Sequence, residues 1–92
     1  MSQLDAIPTI SPDVIGRQIE TEAVLVLASR AEVKVLNETG AFIWSIVDGK
    51  RSIKEIARLV SEEFFVEENQ AEEDTLEFIL DLVEKHIFTL TS

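Results

Sequence analysis

The pattern of apolar and polar residues changes its period near residue 37. Before that point, residues 14–19, 22–28 and 32–36 are rich in β-branched side chains, and the third of these runs alternates polar with apolar residues. Runs of this kind predict strands, and residues 29–31 are left as the turn between the second and the third. The sequence therefore predicts a short three-stranded antiparallel sheet with an open edge.

The alternation within the third strand predicts which side chains face the core. Val33 and Val35 lie on one face of a strand, and Glu32 and Lys34 lie on the other. We expect the valines to point into the core, so that Glu32 and Lys34 expose their side chains.

After residue 37 the apolar spacing is helical. Asn37 is a helix cap, and Asp48-Gly49 ends a short apolar helix. Ser52 and Glu55 form a capping box for a second helix. Its apolar residues recur at core spacing and are Ile53, Ile56, Ala57, Val60 and Phe64.

The last predicted helix covers about residues 71–86, and Asn69 with Glu72 suggests its N-terminal cap. One apolar stripe predicts core residues Leu76, Ile79, Leu80, Val83 and Ile87. Phe78 and Leu82 form a second, neighbouring pair beside Thr75. This pair either packs on the sheet or under the N-terminal lead-in, or it lines a groove between the helix and strand 32–36.

The length of 92 residues is typical of one domain with a single modest core. Residues 1–13 contain both prolines and little periodicity, which predicts a loosely held, flexible lead-in with a short extended piece at 7–10. Residues 14–92 are then the folded domain.

Composition narrows the function classes. The formal net charge of −10 disfavours binding to nucleic acid or to anionic membranes. The sequence has no cysteine, so thiolate chemistry and disulfides are excluded. No apolar run approaches the roughly 20 residues that a membrane span needs, and we expect a cytoplasmic protein.

The residues do not predict catalysis, a cofactor or a metal site. His86, the only histidine, falls near the end of the last helix, where an imidazole is commonly structural. The serines lack a neighbouring base, and Glu72, Glu73 and Asp74 point in different directions on a helix. The three glycines are too scattered for a phosphate-binding loop.

The order of elements, with LNETGAFIWSIVDGKRSIKEIA across the first two helices and AEEDTLEFILDLVEKHIF as the third, resembles the PqqD-like family. Its members are small leader-peptide recognition domains of ribosomally made, post-translationally modified peptides. The resemblance covers residues 14–88 and is most specific at residues 36–37, 43–44 and 48–49. Many family members that serve pyrroloquinoline quinone synthesis have a proline-glutamate-glycine type of turn before the third strand. Residues 29–31, which form this turn here, differ from that type.

The resemblance implies an α+β, winged-helix-like fold that performs no chemistry. It implies that a precursor's leader peptide adds as a strand to the third strand and lies against the third helix. The modifying enzyme would be a radical S-adenosylmethionine protein or a protease and cyclase pair. The peptide-binding residues carried over are Glu32, Val33, Lys34, Val35, Leu36, Thr75, Phe78, Leu82 and Lys85.

Two other functions are open to this sequence. The second and third helices could form the helix-turn-helix of a winged-helix DNA-binding regulator, with the basic cluster Lys50, Arg51, Lys54 and Arg58. The acidic third helix argues against that function. The chain could also be a structural subunit of a larger complex.

Overall fold

The computed structural model describes residues 2–91; Met1 and Ser92, the outer ends of the predicted lead-in and domain, lie outside the described residues. A 3-10 turn at Gln3–Asp5 precedes the first strand. The strands are β1 (Ile7–Ile10), β2 (Val14–Ile19), β3 (Glu22–Leu27), β4 (Glu32–Leu36) and β5 (Phe88–Thr91). The helices are α1 (Glu38–Ile46), α2 (Ile53–Phe64) and α3 (Glu68–Glu84).

The predicted α+β fold is confirmed. Strands β2, β3 and β4 form a three-stranded antiparallel sheet in that order, and α1, α2 and α3 follow it. Strand β4 is therefore an edge strand, with β3 on one side only. Ala23, Leu25 and Leu27 of β3 are buried, and they show which face of the sheet covers the core.

The predicted orientation of β4 is wrong. Lys34 pairs with buried Leu25, so Lys34 lies on the inner face of the sheet, whereas Val33 and Val35 are 65% and 62% exposed on the outer face. Buried Leu36 fixes this orientation, because side chains two residues apart share a face. The alternation showed that β4 has two different faces, but the more apolar face is the one in solvent.

The amino-terminal segment is held more firmly than the sequence predicts. Residues 7–10 form the expected extended piece, and as β1 they pair with β5 in a second, two-stranded antiparallel sheet. Pro8 is fully buried, and the amide of Ile53 donates to the carbonyl of Ala6 at 2.9 Å. This segment therefore joins the carboxyl-terminal strand to the start of α2.

Two of the predicted helix starts are confirmed in detail. The Asn37 side chain accepts a hydrogen bond from the amide of Gly40 at 2.9 Å. Ser52 and Glu55 make the reciprocal bonds of a capping box, at 3.0 and 3.2 Å. Gly49 has the positive φ, 77°, expected after the first helix. The side chains of Asn37, Ser52 and Glu55 thus bond to backbone amides that would otherwise lack a partner.

The third helix starts earlier than predicted, at Glu68, and Asn69 does not cap it. Phe65 adopts a left-handed conformation, and the amide of Val66 donates to the carbonyl of Ser61 at 3.2 Å. This motif ends α2 within two residues, so the next helix begins at once. Among residues 2–91, no helix has the length and apolar character needed to cross a membrane.

Trp44 of α1 links the two sheets. Its indole stacks on Phe88 of β5 with ring centroids 6.0 Å apart. On the other side it lies against Gly16 of β2, where a Cβ would come within 2.5 Å of Trp44 Cζ2. Glycine at this position allows the indole to approach the strand, and the packing holds α1 against both sheets.

Candidate functional site

A groove runs between β4 and α3 along the β4 edge of the three-stranded sheet, whose other edge is β2. One end, which we call the basic hollow, is lined by Leu27, Arg30, Glu32, Val33, Lys34, Lys85 and Ile87. The other end, the aromatic hollow, is lined by Lys34, Val35, Leu36, Asn37, Phe78 and Asp81. Lys34 lines both hollows and therefore lies at the middle of the groove.

The free edge of β4 forms one side of this groove. Within residues 2–91, β4 pairs with β3 and with no other strand. Every second residue of an edge strand presents its amide and carbonyl away from the sheet, where they are available to another strand. The groove thus combines free main-chain donors and acceptors with hollows for side chains.

Phe78 forms the aromatic part of the opposite wall. It is half-buried, and its ring rests on Gly40 of α1, where a Cβ would come within 2.9 Å of Phe78 Cε1. A second shallow hollow on the same part of α3 is lined by Asp74, Glu77, Phe78 and Asp81. One face of the ring therefore packs on α1, and the residue still reaches the groove.

Two residues predicted for the groove lie in the interior instead. Leu82 and Thr75 are fully buried, and neither lines a hollow of the groove. The buried residues of α3 are Ala71, Thr75, Ile79 and Leu82, so Leu82 occupies the core position that the sequence assigned to Val83. Adjacent helical residues differ by about 100° around the axis, which explains how a shift by one residue exchanges core and surface. Val83 is half-buried.

The charged groups at the basic end pair with one another. Arg30 forms a salt bridge with Glu32 at 3.0 Å, and its guanidinium also donates to the carbonyl of Lys85. Lys85 pairs in turn with Asp81, one helical turn earlier. Lys34 makes no salt bridge with any residue between 2 and 91.

The groove therefore contains the predicted residues Glu32, Val33, Lys34, Val35, Leu36, Phe78 and Lys85. Arg30, Asn37 and Asp81 also line the groove and were not predicted from the sequence. The spacing of Asp81 and Lys85 by four residues was a usable signal for an ion pair on α3. Arg30 gave no such signal, because its contact with α3 joins residues 55 positions apart.

The other chemical candidates have structural explanations. His86 is exposed and has a φ of 62°. Its amide donates to the carbonyl of Val83, and the amide of Ile87 donates to the carbonyl of Leu82. These hydrogen bonds end α3, so His86 has a structural role. Arg51 of the basic cluster pairs with Asp48 at 3.3 Å. Backbone amides of Arg51 and Lys50 donate to the Asp48 carboxylate and lower its pKa. In the described part of the chain, no three His, Asp or Glu side chains converge as candidate metal ligands.

Comparison with known families identifies this architecture. Residues 22–87 match the model of the family described as coenzyme PQQ synthesis protein D, PqqD. The chain belongs to the PqqD family. The match includes β3, β4 and all three helices, and it therefore includes both walls of the groove. A search of curated protein sequences finds no significant relative.

Two solved structures resemble this PqqD-family chain over most of its length. TbiB1 in complex with the TbiA(beta) leader peptide is 26% identical, with a TM-score of 0.79 over 86% of this chain and 92% of TbiB1. A lasso peptide synthetase B1 complexed with the leader peptide is 24% identical, also with a TM-score of 0.79. That match covers 89% of this chain and 96% of the synthetase subunit, and it shows a shared fold.

Proposed function

We propose that this chain binds the leader segment of a precursor peptide by strand addition at β4. The observation that carries the proposal is the unpaired edge of β4 beside a groove that reaches α3. Membership of the PqqD family and the likeness to TbiB1, whose structure contains a leader peptide, support it.

The geometry suits peptide binding. Main-chain hydrogen bonds to an added strand do not depend on its sequence, and they supply general affinity. Alternate side chains of the added strand point toward the helices, where the aromatic and basic hollows provide selectivity. Since an added strand also covers the open edge of β4, binding removes a feature that otherwise favours aggregation.

In this proposal the domain performs no chemistry of its own. It acts in the cytoplasm and presents the precursor to a separate modifying enzyme, either a radical S-adenosylmethionine protein or a protease and cyclase pair. The leader would be held on the domain while the core peptide extends to that enzyme. In this proposal residues 14–92 are the peptide-binding domain, and β1 of the preceding segment pairs with its last strand, β5.

The proposal is tested with isotope-labelled protein and the leader peptide encoded by the short open reading frame nearest its gene. We expect amide shifts concentrated in residues 32–36 and 75–85. Phe78→Ala should weaken binding, because it removes the aromatic wall of the groove. Phe65→Ala is the matched control, since Phe65 is 94% exposed and lies outside the groove.

Two results would contradict the proposal. One is binding of the leader with shifts that avoid β4 and α3. The other is no response to the leader together with shifts along residues 50–58 on adding duplex DNA at moderate salt, which would favour the DNA-binding function. The acidic surface of α3, including Asp74, Glu77 and Asp81 around one hollow, makes the second result unexpected.

A further inference from the structure

Lys34 differs from the other charged groups of the groove because its charge is not compensated. Arg30 and Glu32 pair with each other, and Lys85 pairs with Asp81. Lys34 is half-buried on the inner face of β4, and it makes no salt bridge within the described residues 2–91. The middle of the groove therefore has a positive charge that a bound peptide could neutralise.

The position of Lys34 determines which peptide residue it would meet. In an antiparallel pair, directly opposite residues place their side chains on the same face of the sheet. A peptide residue opposite Lys34 would therefore point into the groove, and its neighbours two positions away would point into the two hollows. Of these neighbours, the one opposite Leu36 reaches the hollow formed with Phe78.

We propose that the groove selects peptides with an aspartate or glutamate opposite Lys34 and an apolar residue two positions away, in the aromatic hollow. This inference rests on the proposed strand addition and names the chemistry that the groove recognises. Addition antiparallel to β4, as in each strand pair of this structure, places the apolar residue before the acidic one. The recognised element is then apolar, any residue, acidic.

The electrostatics favour this pairing despite the net charge of −10. Repulsion between an acidic peptide and distant surface carboxylates is screened at moderate salt. A contact with a half-buried ammonium is screened much less. Asp81 is the carboxylate that shares the aromatic hollow with Lys34, and its charge is already engaged by Lys85.

The test is a selection from a library of random peptides about twelve residues long, which is enough for an added strand. The library is selected separately against the wild-type protein, Lys34→Glu and Lys54→Glu. Lys54→Glu makes the same change of charge on the exposed side of α2, away from the groove. Amide shifts of the labelled protein then show which selected peptides bind at residues 32–36.

We expect wild type and Lys54→Glu to enrich an acidic residue two positions after an apolar one, and Lys34→Glu to enrich a basic residue there. In an individual selected peptide, changing the acid to its amide should weaken binding to wild type by about tenfold. The same change should have little effect on binding to Lys34→Glu.

The outcomes separate this inference from the proposed function. If selected peptides shift residues 32–36 but show no acidic preference, strand addition stands and the role of Lys34 is wrong. The role of Lys34 is equally wrong if Lys34→Glu and Lys54→Glu enrich the same peptides. If no selected peptide shifts residues 32–36, both proposals are contradicted.

Discussion

The ring of Phe78 on α3 lies directly on the backbone of Gly40 on α1, where a Cβ would be 2.9 Å from Phe78 Cε1. Gly40 is itself held at the start of its helix by the side chain of Asn37. Since Asn37 and Phe78 both line the aromatic hollow, the start of α1 determines the shape of one end of the groove.

Gly40→Ala should therefore impair peptide binding more than stability. The added methyl group must displace the Phe78 ring, while alanine favours a helix over glycine by up to about 1 kcal/mol. These effects oppose each other in folding, and we expect the free energy of unfolding to change by less than about 1 kcal/mol. Peptide affinity should fall severalfold, as measured by titration. Ser45→Ala, at an exposed position of α1, is the control and should leave affinity unchanged.

Leu82→Ala should be much more destabilising than Val83→Ala. Leu82 is fully buried, so its truncation to alanine should lower the free energy of unfolding by about 2–5 kcal/mol. Val83 is half-buried, so its truncation should lower that free energy by about 1 kcal/mol. Urea unfolding of both variants measures the difference. Equal losses would show that α3 is rotated from the orientation described above.

Phe65→Gly should stabilise the protein relative to Phe65→Ala. Phe65 ends α2 with a φ of 56°, a conformation that costs a residue with a Cβ about 1 kcal/mol relative to glycine. Since its side chain is 94% exposed, either substitution removes little packing. Thermal or urea unfolding should show the glycine variant to be the more stable of the two; an advantage for alanine would refute the left-handed helix end.

Glu55 should contribute stability that depends on pH. Hydrogen bonds from the backbone and side chain of Ser52 lower the pKa of Glu55 in the folded state. This contribution is fully present above the unfolded-state pKa of about 4.3, and it is lost as pH falls through the lower folded-state pKa. The difference in unfolding free energy between wild type and Glu55→Gln should therefore shrink below about pH 4.

Glu63→Gln on the same helix is the control for this titration, because it removes the same charge without touching the capping box. Its difference from wild type shows how much of the pH dependence comes from general repulsion. For each variant, the quantity compared is its difference from wild type in unfolding free energy. If this difference has the same pH dependence for Glu55→Gln as for Glu63→Gln, the role of the capping box is contradicted.

Local sequence signals predicted the framework of this fold. The Asn37 cap, the Ser52–Glu55 capping box and the turn at residues 29–31 depend on residues within a few positions of one another. Such short-range contacts are readable from spacing alone. The resemblance to PqqD-like proteins led us to expect peptide binding at β4, and the structure shows that β4 is an edge strand.

Features that depend on tertiary packing were not predictable in the same way. The inner face of β4 is set by Leu36 and by its pairing with β3, and not by the more apolar Val33 and Val35. The orientation of α3 is set by the packing of Ala71, Thr75, Ile79 and Leu82 into the interior, and apolar spacing alone did not distinguish Leu82 from its neighbour Val83. These errors exchanged the roles of neighbouring residues within the groove but left its location unchanged.

Amide hydrogen exchange at β4, with and without bound leader peptide, would detect strand addition at this edge directly. An added strand forms hydrogen bonds with every second residue of the edge, so those amides should become protected. The amides of β4 that already bond to β3 should change much less. Protection in this alternating pattern within residues 32–36 is the predicted result. A leader peptide that binds while exchange along β4 stays unchanged would contradict strand addition.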